Sequence, residues 1–224
     1  MLAEKRLPLF PLGTVLFPRM MLPLRIFEPR YRQMLDDCLN GDETFGVLLI
    51  KEGPEVGGPA VPYEIGTTAR ILSVEKKAEG VINITTRGQE RFRLRHTLHD
   101  QPYLVGEVEP YPLADTDASE VPALARRGTA LLAAYMELLS RAAGAEIRLQ
   151  RVPTDPQTIA YLTAMLLQVT EPAKQRLLSI AGLPTLFREE AALLENERKV
   201  LTVMIHALET SGLPEDTNLP FSKN

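Results

Sequence analysis

Few residues in this 224-residue chain have the types and spacing that chemistry needs. Gly41-Asp-Glu-Thr-Phe-Gly46 has the glycine spacing of a phosphate loop. Val47-Leu48 stands where lysine and then serine or threonine must follow, so no charge reaches a β- or γ-phosphate. His96 and His99 lie three apart at the end of a strand-like run and would point to opposite faces. No cysteine cluster completes a metal set around them, and His206 stands apart on a late helix. The one cysteine, Cys38, falls on the apolar face of a short helix and reads as a structural thiol. No Gly-x-Ser-x-Gly elbow occurs. The residues therefore predict no catalytic group, no metal and no cofactor.

Two constellations remain. Glu190 and Glu197 fall inside a helical stripe formed by Leu186, Leu193, Leu201, Met204 and Leu208. They have the makings of an acid–base pair. Pairing with arginines of a neighbouring helix, or a position where the stripe leaves the core, is the simpler account. Arg91, Arg93 and Arg95 alternate with Phe92, Leu94 and His96, so on a strand the three guanidinium groups share one face. That face is either solvated or a contact for an anion or an RNA backbone. The nearby Glu90, Asp100, Glu107 and Glu109 favour the solvated reading.

The elements that would carry these residues change near residue 112. Before it, short runs rich in Val, Ile, Thr and Phe read as strands: 45–51, 66–77, 81–86, 90–96 and 104–108. Gly80 and Gly88 read as turn glycines between them. One helix interrupts, from Pro29 to Leu39, with Tyr31, Met34, Leu35 and Cys38 on one face. Residues 113–120 read as a linker. Helices follow at 121–143, from the Asp155-Pro156 cap to 169, at 172–181 and at 184–210, with Gly212 closing the last. Gly128, inside the first of these, implies close approach of another backbone. The pattern is α+β: a β domain over 1–112, a helical bundle over 121–212 and a flexible tail over 213–224.

Charge excludes a general nucleic-acid binder. Residues 1–112 carry 14 Lys and Arg against 15 Asp and Glu, and the remainder 11 against 14. No apolar run approaches the ~18 residues of a membrane span. Pro8, Pro11 and Gly13 break what would otherwise resemble a signal peptide, and the expected location is the cytoplasm.

The opening segment carries a family likeness. Leu7-Pro-Leu-Phe-Pro-Leu-Gly-Thr-Val-Leu-Phe-Pro-Arg-Met-Met-Leu-Pro-Leu-Arg-Ile-Phe-Glu-Pro-Arg-Tyr31, then Met34-Leu35, resembles the start of the Lon protease N-terminal domain family. Its Ile26-Phe27-Glu28 continuation is most similar to the free-standing members. Glu64-Ile-Gly-Thr-Thr-Ala-Arg-Ile71, Gly80, Gly88-Gln-Glu-Arg-Phe92 and Lys174-Gln-Arg-Leu-Leu178 extend the likeness over nearly the whole chain. Arg19 departs from it, since many relatives have glycine in that Phe-Pro-Gly turn. The prolines at 8, 11, 18 and 23 each remove a ladder donor, so they suit strand ends, edges or bends.

The resemblance implies a PUA-like small β-barrel of about six strands with one short helix, followed by the helical bundle. It implies a non-enzymatic module that recognises unfolded or tagged proteins and peptides, an adaptor in protein quality control working with a protease or chaperone in trans. The chain contains neither the ATPase nor the Ser-Lys protease domain of full-length Lon. Phe17, Met20, Met21 and Tyr31 are the candidate substrate contacts, because unfolded chains need apolar surface that stays exposed. The alternative is an RNA-binding module using Arg91, Arg93 and Arg95, with nucleic acid the disfavoured partner.

Overall fold

A computed structural model describes residues 5–58, 60–146 and 153–211. Gly212 and the expected tail over 213–224 lie outside them. The chain divides into two compact units. The first holds residues up to Ala114 together with Val169–Ala181; the second holds Asp115–Gln168 and the residues from Gly182 onward.

The first unit contains strands β1 (Lys5–Leu12), β2 (Met21–Ile26), β3 (Thr44–Glu52), β4 (Val61–Pro62), β5 (Ile65–Lys76), β6 (Ile82–Leu98) and β7 (Val105–Pro110). Helix α1 (Pro29–Leu39) lies between β2 and β3. The pairing order β1-β7-β6-β5-β3 closes on itself, because β3 also pairs with β1. β1 makes closure possible by changing partners. Lys5–Pro8 runs antiparallel to β7, and Leu9–Leu12 runs parallel to β3. Pro8 sits at the exchange, where its missing N–H is least costly. β2 adds to the first half of β6, and the two-residue β4 adds to β3. Among the described residues the strands therefore number seven, five of them in the ring.

Two apolar clusters fill this unit. In the larger, α1 buries Tyr31, Met34, Leu35 and Cys38, the face that its spacing predicts, among Phe10, Phe45, Ile71 and Ile84. The Phe10 and Tyr31 rings have centroids 4.1 Å apart. The smaller consists of Leu7, Leu9, Leu48, Phe92 and Val108. Its tightness needs glycine in the wall: a Cβ on Gly66 would stand 2.4 Å from the Val47 carbonyl oxygen, and one on Gly46 2.7 Å from the Phe92 ring.

Gly80 has the positive φ of a turn, +72°. Gly88 does not end a strand: β6 runs through it without a break. Its role is close approach, since a Cβ there would lie 2.2 Å from the Phe17 carbonyl oxygen. The segment that approaches is a β-turn, Phe17-Pro18-Arg19-Met20, closed by Met20 N–H donating to Phe17 O at 3.1 Å. Pro18 occupies the second position, and Arg19 takes the third at φ +71°. Arg19 N–H donates to Gly88 O at 2.7 Å and Gly88 N–H to Met20 O at 2.9 Å. These bonds keep the left-handed turn in place despite its arginine, at a cost of about 1 kcal/mol.

Helix α4 (Glu171–Ser179) belongs to the β unit and not to the expected 121–212 bundle. Sequence distance concealed this, because its contacts reach back as far as Val15.

The second unit contains α2 (Val121–Ala143), α3 (Pro156–Leu166) and α5 (Leu183–Ser211). The Asp155 carboxylate accepts from Thr158 N–H at 2.9 Å, the cap that opens α3. Val121, Ala125, Gly128, Leu132, Tyr135 and Met136 are the buried face of α2. At Gly128 the close neighbour is the Phe187 ring, 3.3 Å from an added Cβ, and not a backbone.

Candidate functional site

The four apolar candidates do not form one surface. Phe17 is 1% exposed and Tyr31 6%, so both belong to the core. Met20 packs against the larger cluster. Only Met21, at 49%, offers substantial surface, on edge strand β2.

The arginine row does not form an open face either. Arg91 and Arg93 flank the Tyr111 ring, their guanidinium carbons 4.8 and 4.5 Å from its centroid. Arg95 and Arg93 reach Glu109 Oε1 at 2.6 and 3.7 Å. Arg91 is buried, and its Nη1 donates to Leu178 O and Ile180 O, both at 2.6 Å. Those carbonyls close the C-terminal end of α4, where a cation is favoured by the helix dipole as well as by the bonds. The Tyr111 hydroxyl donates to Ser179 O at 3.0 Å.

The other end of α4 is held by its acid. Glu171 Oε2 accepts from Val15 N–H at 2.7 Å, and Lys174 lies 3.4 Å from Oε1. Gln175, also buried, donates through Nε2 to Ile65 O at 2.9 Å. Thus Arg91, which the sequence places on a solvated strand face or, as the alternative, at an anion or RNA contact, is a pin that fixes a helix. Its sequence alternation gave no sign of this, because its acceptors stand 87 and 89 residues away.

The remaining titratable candidates stay scattered. His96 lies opposite Glu107 in the β6–β7 ladder, and His99 and His206 are exposed. Among the described residues no group of three or more His, Cys, Asp and Glu stands together to hold a metal ion. Cys38 is buried, and burial beside Asp37 pushes its thiol up to about 12. Glu190 is 2% exposed on the buried stripe of α5, and among the described residues neither carboxylate oxygen has a hydrogen-bond partner. Burial pushes its carboxyl well above the usual range. Glu197 is half-buried. Among the described residues no arginine pairs with Glu190.

A cavity of about 370 Å³ does form in the β unit, a size that accepts a ligand side chain or two. Every strand of the ring contributes to its lining, so it is the mouth of the barrel. Leu7, Phe92 and Val108 of the smaller cluster form its floor. Its rim is charged. Lys5 pairs with Asp42 across the lip, Arg70 with Glu43 at 2.9 Å, and Glu90 and Glu109 complete it. Thr68 Oγ1 accepts from Glu90 N–H at 3.1 Å and so holds Glu90 beside the β5 bulge. Sequence reasoning missed this site. Its signal was the pair of isolated glycines, Gly46 and Gly66, inside strand runs, which mark a packed wall.

A closed β-barrel with an open mouth, together with a helical unit, defines an α+β protein. A model of the "ATP-dependent protease La (LON) substrate-binding domain" matches residues 6–196, and the chain belongs to that family. The Lon protease of Syntrophus aciditrophicus is 26% identical over 87% of the chain, and that of Anaeromyxobacter dehalogenans 28% identical over 87%. The chain spans 25% and 24% of those proteins, about a quarter of the length of the curated relatives it matches. Among solved structures, a Lon N-terminal domain protein from Xanthomonas campestris is 30% identical, with a TM-score of 0.57 over 84% of this chain and 98% of that one. The N-terminal domain of Mycobacterium avium complex Lon protease shares the fold at a TM-score of 0.66, covering 85% and 98%, with 22% identity. Among the described residues no helix is long and apolar enough to cross a membrane.

Proposed function

We propose that this chain is a non-catalytic module that binds unfolded or tagged segments of other proteins. It acts in the cytoplasm as an adaptor, presenting those segments to a protease or chaperone in trans. The observation that carries the reading is the match of residues 6–196 to a substrate-binding domain, in a chain whose β unit has a ligand-sized mouth. An apolar floor under a polar rim is the arrangement that captures a side chain while leaving the rest of a peptide in water. Met21 is a second contact, outside the mouth, because a flexible apolar side chain adapts to varied sequences.

The RNA reading gains nothing from the arginine row, since Arg91 is committed to α4 and the other two to Glu109. A titration of the folded chain against a fluorescein-labelled, reduced and carboxymethylated protein tests the proposal. Saturable binding on the order of micromolar is expected. A flat titration, with circular dichroism showing the chain folded, refutes it.

A further inference from the structure

We propose that the barrel mouth selects extended segments in which a bulky apolar residue is flanked by lysine or arginine. The proposal rests on the peptide-binding reading and narrows its substrate class. Three observations combine. First, the ring is not paired all the way round at this end. The β1–β3 ladder begins at Leu9 and Gly46, so Lys5–Pro8 has β7 on one side only among the described residues. What bridges β1 to the loop before β3 there is the Lys5–Asp42 ion pair, with both side chains exposed. An exposed pair of this kind contributes about 0–1 kcal/mol and opens readily for a competitor. An extended segment can lie along that edge and drop one side chain onto Leu7, Phe92 and Val108.

Second, the charges around the mouth are unequal in their freedom. Lys5 and Arg70 are neutralised by Asp42 and Glu43, and Arg91 is turned into the α4 carbonyls. Glu109 is held from outside by Arg93 and Arg95. Glu90 is exposed, and among the described residues no lysine or arginine pairs with it. Third, Glu90 is fixed at the backbone on both of its polar groups: its N–H donates to Thr68 Oγ1 at 3.1 Å, and its carbonyl accepts from the same hydroxyl at 3.2 Å. The backbone that carries this carboxylate is therefore held in the lining, beside Phe92 of the apolar floor. A cationic residue next to the anchored one meets it, and an acidic residue is repelled.

Two fluorescein-labelled 12-residue peptides, alike except for Lys or Glu on either side of a central Phe, test this against the whole chain at low salt. The expected result is roughly 10-fold tighter binding of the Lys-flanked peptide, falling as salt is raised. Glu90→Lys should abolish or reverse the preference. Glu189→Lys, an equal change of net charge at an exposed position of α5, should leave it intact. Equal affinity for the two peptides overturns the proposal, as does a preference that survives Glu90→Lys. If denatured protein binds while the peptides are not distinguished, the selectivity fails and the peptide-binding reading stands. If neither denatured protein nor either peptide binds, both fail.

Discussion

The two units bury charge in opposite ways. In the β unit Arg91 is 3% exposed, yet two carbonyls and the Tyr111 ring receive it. In the helical unit Glu190 is 2% exposed and neither oxygen finds a donor among the described residues. A guanidinium that satisfies the open end of a helix holds two elements together. A lone carboxyl in an apolar stripe does the reverse and persists by keeping its proton. The difference teaches that burial of an ionisable group says nothing about its role until its partners are counted.

The largest effect is expected from breaking the first case. Arg91→Leu strands Leu178 O and Ile180 O without their donor and removes the charge at the end of α4. It should cost about 3–5 kcal/mol in urea unfolding of the chain, with α4 amides losing protection first in hydrogen exchange. A cost under about 1 kcal/mol would make the pin decorative.

Glu190→Leu should act with the opposite sign. It replaces an unsatisfied carboxyl by an apolar side chain and should stabilise the chain by about 2 kcal/mol at neutral pH. The pH dependence sharpens this. In the unfolded chain Glu190 ionises near 4.5, whereas in the folded chain it holds its proton to higher pH. Between those values the unfolded state binds fewer protons, so stability falls as pH rises from about 4.5 toward the raised native value and then levels. Glu190→Gln should remove that slope. Unfolding curves across the acid-to-neutral range, unchanged in slope by the substitution, would show that Glu190 has a partner after all.

The smallest effect separates local strain from buried charge. Arg19 takes φ +71° in the turn against Gly88, so Arg19→Gly should stabilise by about 1 kcal/mol without altering binding. Thermal unfolding of the variant checks it, and a lower melting temperature would contradict the strain.

What was legible follows from locality. The Pro29 and Asp155-Pro156 helix starts, the α1 face and the α+β order all rest on signals within one turn or one strand, and the structure shows them. Gly88 reads as a turn glycine in the sequence because a glycine inside a strand and one at its end look alike without the chain that packs on it. The arginine row looks open in the sequence because its cover, α4, comes some 80 residues later. Phe17 and Tyr31 went to the core because aromatic residues next to prolines bury as readily as they bind. The mouth needed the ring to close before it existed, and ring closure is a long-range pairing that no window contains.

Hydrogen exchange of the whole chain, with and without saturating denatured protein, tests binding at the mouth most directly. The expected result is added protection around the mouth, at residues 5–7, 41–44 and 89–92, with the amides of α2 and α5 unchanged. Protection confined to α2 and α5, or none anywhere at saturation, would contradict it.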